Sequence, residues 1–218
     1  MPESLPGTVD AAVPGTTLEH EPQWLRALAF ASAAAVAAFG GVGLALADAG
    51  AYRSYFAFPL GALAWFALLV LARPILLARG AKSARAHVVA VLGLLFIGGI
   101  TLWNARHASQ HVLINRDPGV YVNAGVQIAQ RGTLVYHDPV IAAVPAFARD
   151  LFFPQDTNRG EYYLAQRFNM GFYILNPETG ATVSQFPHVY PASIAIGYAL
   201  DGLAGARRVF AFWGVRPA

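Results

Sequence analysis

The chain contains no cysteine and few charged residues. Without cysteine it has no disulfide bridge and no metal site built on thiolates, although this absence says nothing about its compartment. Charged residues make up 12% of the chain, whereas soluble domains commonly carry about 25%. Hydrophobic residues make up 56%. This composition predicts an α-helical integral membrane protein that has membrane lipid as a partner.

A concentrated basic surface is missing as well. The net charge is only +3, and the lysine and arginine residues form no stripe interleaved with aromatic residues. Nucleic-acid-binding proteins commonly carry such a stripe. The charge pattern therefore argues against a nucleic-acid partner.

Three uncharged runs are long enough to cross a bilayer, which takes about 20 mainly apolar residues. They cover residues 27–47, 54–72 and 86–105. We predict from them three transmembrane helices within residues 23–105. The preceding residues 1–22 are rich in Pro, Gly, Thr and Glu, and this composition is typical of a disordered tail.

A fourth, weaker apolar run covers residues 188–206 and contains Asp201. The segment VFAFWGV that follows it resembles the beginning of a fifth span. About four transmembrane helices plus the truncated start of a fifth are therefore expected, with the last two in residues 188–218. Two interpretations of Asp201 are open. It has a transport or catalytic role, since acids within spans are often functional, or it simply lies near the cytoplasmic headgroups.

Basic residues in the loop after the second run predict the orientation. Residues 73–87 contain three arginines and one lysine but no acid. Such loops stay on the cytoplasmic side of the membrane. We therefore expect a multi-pass protein of the cell membrane with a cytoplasmic N-terminus, so that residues 106–187 between spans three and four are extracytoplasmic.

This outer segment is expected to form a small α/β domain. Asp117 suits a helix N-cap and Pro118 the first helical position, while Gly132 suits the residue after the end. These signals predict a juxtamembrane helix over 118–131. After it, TLVYH reads as a short strand, PVIAAVPAFARDLFF as a broken helix, and FYILN-PETG-ATVSQF as a hairpin.

Two histidines precede this helix, His107 and His111. Their spacing of four residues would place them on one helix face, which leaves a metal pair open. Two solvated imidazoles at a membrane surface are the favoured interpretation. No metal site is therefore assigned.

Short motifs in residues 86–215 resemble the GT-C glycosyltransferases. The resemblance rests on an outward-leading span, on Asp117 followed four residues later by Tyr121, on RGTL at 131–134, and on the re-entry FPHVYPASIAIGYAL. This superfamily includes the protein mannosyltransferases and the aminoarabinose transferases. The chain departs from its pattern at Pro118, where a second acid is common, and in the order of residues in FPHVYP.

The resemblance implies a membrane glycosyltransferase that uses a sugar on a polyprenyl phosphate. In that superfamily an aspartate in the first large outer loop is catalytic, and Asp117 falls on its position. Tyr121 falls on the aromatic residue that follows it. Because GT-C enzymes have more spans, the chain resembles the N-terminal part of one, and residues 1–218 alone are expected to be inactive.

Each candidate residue also has a purely structural interpretation. Asp117 serves as catalytic base or only as a helix cap. Arg116 contacts the donor phosphate or is a solvated surface charge, with a divalent metal as another possible partner of the phosphate. His188 lines the site or is an interfacial polar residue. Two other functions stay open: a non-catalytic membrane scaffold or binding protein, and a transporter, although spans one to three lack the internal charges of transporters.

Overall fold

The computed structural model describes residues 22–78, 83–108, 117–153, 167–169 and 171–213. Its helices are α1 (Gln23–Asp48), α2 (Ser54–Leu71), α3 (Arg73–Leu76), α4 (Ala84–Arg106), α5 (Asp117–Arg131), α6 (Pro139–Ala142), α7 (Arg149–Phe152) and α8 (Val189–Trp213), with a 3-10 turn at Ala146–Ala148. Its strands are β1 (Tyr136–His137), β2 (Arg167–Asn169), β3 (Phe172–Asn176) and β4 (Ala181–Ser184). The predicted tail, apart from Pro22, lies outside the described residues, as do Arg116 and His111.

Three of the described helices, α1, α2 and α4, are long and apolar enough to cross a membrane. Each contains one of the three predicted runs. Helices α1 and α2 pack together through Phe39 and Phe58, whose ring centroids are 6.5 Å apart. The indole of Trp65 donates a hydrogen bond of 2.9 Å to the carbonyl oxygen of Ala31. Most side chains of these helices face outward, as expected of helices surrounded by lipid.

Helix α8 reverses direction within the run 188–206, in which the sequence suggested a weaker fourth span interrupted by Asp201. Asp201 (φ −150°, ψ 38°) and Gly202 (φ 51°, ψ −142°) are not helical and separate a first arm, 189–200, from a second arm, 203–213. At 1.5 Å per residue the first arm is about 18 Å long, less than the roughly 30 Å of a bilayer core. The two arms therefore form a helical hairpin rather than a fourth span and the start of a fifth.

Glycine allows the two arms of α8 to approach each other closely. A Cβ atom on Gly197 would lie 2.8 Å from the carbonyl oxygen of Gly205. The ring of Tyr190 near the start of α8 lies 5.1 Å from that of Trp213 at its end. Beside the turn, the guanidinium of Arg208 donates a hydrogen bond to the carboxylate of Asp201. These contacts account for the reversal.

The four strands form one antiparallel sheet in the order β1-β4-β3-β2. The PETG segment makes the turn between β3 and β4, in the place predicted for the hairpin. One face of these two strands is buried, and it carries Phe172, Ile174, Thr182 and Ser184. Tyr173 and Val183, which pair with each other on the opposite face, are only partly buried.

Two parts of the chain cover the buried face of the sheet. Val120 and Ala124 of α5 pack on Phe172. Ile141 and Phe153, from the segment 139–153, pack on Ile174. Because Phe172 and Ile174 are two residues apart on one strand, they point to the same side of the sheet. Helix α5 and the segment 139–153 therefore form one layer.

Helix α5 connects this layer to the candidate membrane spans. It begins at Asp117, one residue before the predicted start, and ends before Gly132, whose φ of 83° favours glycine. The amide of Tyr52, between α1 and α2, donates a hydrogen bond of 3.0 Å to the carbonyl oxygen of Gly132. The amide of Leu134 donates a hydrogen bond of 3.2 Å to the carbonyl oxygen of Ala47. The C-terminal end of α5 is thus attached to the α1–α2 connection.

Candidate functional site

The first turn of α5 combines a carboxylate with an aromatic ring. Asp117 is exposed, and Tyr121, one helical turn later, is half-buried. Residues four apart on a helix lie on the same face, so the carboxylate is adjacent to the phenol ring. The ring of Tyr121 stacks on Phe186 at 4.7 Å and meets the edge of Tyr190 at 5.0 Å. Asp117 therefore lies at the border of a group of aromatic side chains.

The second arm of α8 extends this group. The Tyr190 ring makes edge contacts with Phe210 at 5.3 Å and with Trp213 at 5.1 Å. Such edge-to-face pairs are favourable because the positive edge of one ring meets the negative face of the other. We call Tyr121, Phe186, Tyr190, Phe210 and Trp213 the aromatic cluster. It joins α5, the end of the sheet and both arms of α8.

Close packing of α5 against the first arm of α8 holds the cluster together. A Cβ atom on Gly125 would lie 2.6 Å from the Cβ of Ile194 and 2.9 Å from the carbonyl oxygen of Pro191. One turn later, the side-chain amide of Gln130 donates a hydrogen bond of 3.0 Å to the hydroxyl of Tyr198. The absence of a side chain at Gly125 thus sets how near Tyr121 comes to Tyr190.

Burial and charge both act on the hydroxyl of Tyr121. Burial, and secondly the negative charge of Asp117, raise the pKa of Tyr121 above its ordinary value of 10.0. The phenol therefore keeps its proton at physiological pH. It is able to donate a hydrogen bond to a ligand that binds beside Asp117.

His188 lies between two members of the aromatic cluster, Phe186 and Tyr190. Its Nε2 atom is 3.1 Å from the carbonyl oxygen of Ser184. Because a carbonyl oxygen only accepts, this contact places the proton on Nε2. His188 therefore lies in the segment that carries two ring partners of Tyr121, whereas Arg116 lies outside the described residues.

Among the described residues, no group of three or more histidine or acidic side chains is placed to hold a metal ion. His107 is engaged with its own helix. Its Nδ1 atom is 2.8 Å from the carbonyl oxygen of Trp103, and its ring stacks on that of Trp103 at 4.1 Å. The other histidine of the suggested pair, His111, lies outside the described residues.

A groove of about 600 Å³ lies between α1 and the α8 hairpin, beside the direct contacts of Gly40 and Gly43 with the first arm. Its lining is mainly apolar and includes Val36, Phe39 and Ile196, with the Asp201–Arg208 ion pair at its border. Asp201, which the sequence offered as a transport or catalytic residue, is thus engaged with an arginine of its own hairpin. The ion pair and the turn are explained by the fold of α8 alone.

The sequence identified Asp117, Tyr121 and His188 one by one as candidate site residues. It did not predict the aromatic cluster. The only sequence signal for it is the repetition of aromatic residues in FPHVY and VFAFW. Contact between those two segments depends on the reversal of α8. The chain was also compared with known proteins: no protein family, curated protein or solved structure matches it.

Proposed function

We propose that the chain belongs to a membrane glycosyltransferase of the GT-C kind, which moves a sugar from a polyprenyl phosphate to an acceptor hydroxyl outside the cytoplasm. The observation that carries this proposal is the position of Asp117. Its carboxylate is exposed beside aromatic rings, on a helix whose end is attached to two candidate membrane spans. A lipid-linked sugar has its phosphate at headgroup height, and we propose that α5 presents Asp117 at that height.

In the proposed reaction Asp117 acts as general base. Its carboxylate takes the proton from the acceptor hydroxyl while the hydroxyl oxygen attacks the anomeric carbon. The bond between that carbon and the phosphate oxygen breaks, and the polyprenyl phosphate leaves. Arg116, next to Asp117 in sequence, is proposed to stabilise the phosphate, a role that a divalent metal also fits.

The aromatic cluster and His188 are proposed to position the sugar. Apolar C–H faces of a sugar ring pack well on aromatic rings, and Tyr121 carries the ring nearest to Asp117. The protonated phenol of Tyr121 offers a hydrogen-bond donor to a sugar hydroxyl. His188 borders the same corner through its neighbours Phe186 and Tyr190.

This function requires the active side to face away from the cytoplasm. We propose that the N-terminus is cytoplasmic, that α1, α2 and α4 cross the cell membrane, and that residues 106–187 are extracytoplasmic. The arginines of the α2–α4 connection support this orientation, because basic loops remain in the cytoplasm.

Replacement of Asp117 tests the proposal. Asparagine begins helices nearly as well as aspartate, but its amide does not take up a proton at neutral pH. With the variant gene in its native chromosomal context, Asp117→Asn should leave expression and folding intact. It should lower sugar transfer from the polyprenyl phosphate by a factor on the order of 100 or more.

Asp117→Ala is the matched control for the capping role. It should lose activity and about 1 kcal/mol of helix stability together. If Asp117→Asn transfers sugar normally while Asp117→Ala is merely unstable, Asp117 is a cap and the proposed chemistry is wrong. Cells with the unaltered gene should also be compared with cells that lack it. If both transfer lipid-linked sugars equally, the chain is better described as a non-catalytic membrane scaffold or binding protein.

A further inference from the structure

A group of apolar side chains is exposed on the segment 139–153, outside the candidate membrane spans. Val140 is 74% exposed, Phe147 92%, Leu151 81% and Phe152 62%. Four large apolar side chains exposed on one short segment are a candidate interaction site, because apolar patches are rare on surfaces that face only water. We call these four side chains the apolar patch.

The segment that carries the apolar patch is fixed to the sheet. Its inward side chains Ile141 and Phe153 are buried against Ile174. The Nε atom of Arg149 donates a hydrogen bond of 3.2 Å to the carbonyl oxygen of Val144. The same guanidinium lies 3.6 Å from the carboxylate of Glu178, in the β3–β4 turn. The apolar patch is therefore held in its exposed position by contacts on the other side of the segment.

The position of this segment indicates what covers the apolar patch. The segment and α5 lie on the same face of the sheet, and α5 is attached to the connection between α1 and α2. That connection marks where the two candidate spans leave the bilayer. The side of the segment that faces away from the sheet is therefore on the same side of the sheet as α8, which packs on α5 at Gly125.

We propose that the apolar patch inserts into the surface of the bilayer, on the side where the α1–α2 connection lies. Short helical segments with an apolar face commonly lie in this zone, with their apolar side chains at the boundary between headgroups and acyl chains. The sheet then has two attachments to the membrane, through α5 and through the apolar patch. This inference concerns the membrane surface and does not depend on sugar transfer.

The charges beside the apolar patch indicate the kind of lipid contact. Arg149 is paired with Glu178, and the neighbouring Asp150 is exposed and acidic. Among the described residues beside the patch there is thus no excess of positive charge with which to recognise anionic headgroups. The burial of apolar side chains, and not charge attraction, should therefore drive insertion. A zwitterionic bilayer should be sufficient for it.

Site-directed fluorescence on the whole chain tests the proposal, and the lack of native cysteine makes labelling specific. Single cysteines replace Phe147 or Leu151, whose high exposure allows substitution without disturbing the core. Each carries a polarity-sensitive fluorophore, in nanodiscs of phosphatidylcholine. The emission should be lost to quenchers attached to lipid near the headgroup and should largely resist aqueous iodide.

Val183→Cys is the control, because Val183 lies on the sheet face opposite to α5 and the segment 139–153. Its label should show the reverse pattern, with quenching by iodide and little by lipid. Adding phosphatidylglycerol or raising the salt concentration should change neither result. If the labels at Phe147 and Leu151 respond to iodide as the label at Val183 does, lipid does not cover the patch and the proposal is wrong.

Discussion

Replacing Gly125 by alanine should separate α5 from the first arm of α8. The new methyl group would lie 2.6 Å from the Cβ of Ile194 and 2.9 Å from the carbonyl oxygen of Pro191. A side-chain terminus can rotate away from such a contact, whereas a β-carbon and a backbone oxygen move only with their helix. The substitution therefore has to displace one helix relative to the other.

The expected size of the effect follows from two opposing terms. Extra methyl groups in a packed interior commonly cost about 1–3 kcal/mol, and a contact with backbone belongs at the upper end of this range. Alanine is a better helix former than glycine by about 1 kcal/mol. A net loss of about 2 kcal/mol is therefore expected in the free energy of unfolding.

Unfolding by SDS in mixed micelles, followed by circular dichroism, measures this loss. Gly41→Ala is the matched control, because a Cβ at Gly41 in α1 would meet no atom within 4 Å. It should leave stability unchanged or raise it by up to about 1 kcal/mol. Equal effects of Gly125→Ala and Gly41→Ala would refute the close packing of α5 on α8, and with it the geometry of the aromatic cluster.

Three further outcomes are expected. Of single cysteines at Gln130 and Ser83, only that at Gln130 should react with a membrane-impermeant maleimide in intact cells, and the reverse would invert the proposed topology. Burial raises the pKa of Tyr52 to about 12 from 10.0. The contribution of Tyr52 to the free energy of unfolding should therefore be constant below pH 10 and fall by up to about 1.4 kcal/mol per pH unit between pH 10 and 12, so Tyr52→Phe should make the overall decline in that range shallower. Gly202→Ala forces a side chain into a conformation with φ of 51° and should cost about 1–3 kcal/mol in the same SDS assay, whereas a neutral result would argue against the reversal of α8.

The sequence alone determined the features that depend on neighbouring residues. Uncharged runs between charged residues predicted the three spans, because the length and polarity of a run decide whether it can cross a bilayer. Pro118 and Gly132 bounded α5 to within one residue, because the backbone needs of helix ends are local. The PETG turn likewise indicated the hairpin, because turn residues act through their own backbone angles.

Only the tertiary structure decided how distant segments meet. The apolar run 188–206 is compatible with a straight span, since a helix has the same periodicity whether or not it later reverses. Its reversal depends on the close approach of Gly197 and Gly205 and on the pairing of Asp201 with Arg208. That reversal brings Phe210 and Trp213 to Tyr190 and forms the aromatic cluster. The ring contacts of Tyr190 with Phe210 and Trp213 join residues about 20 positions apart, so neither local propensity nor periodicity specifies them.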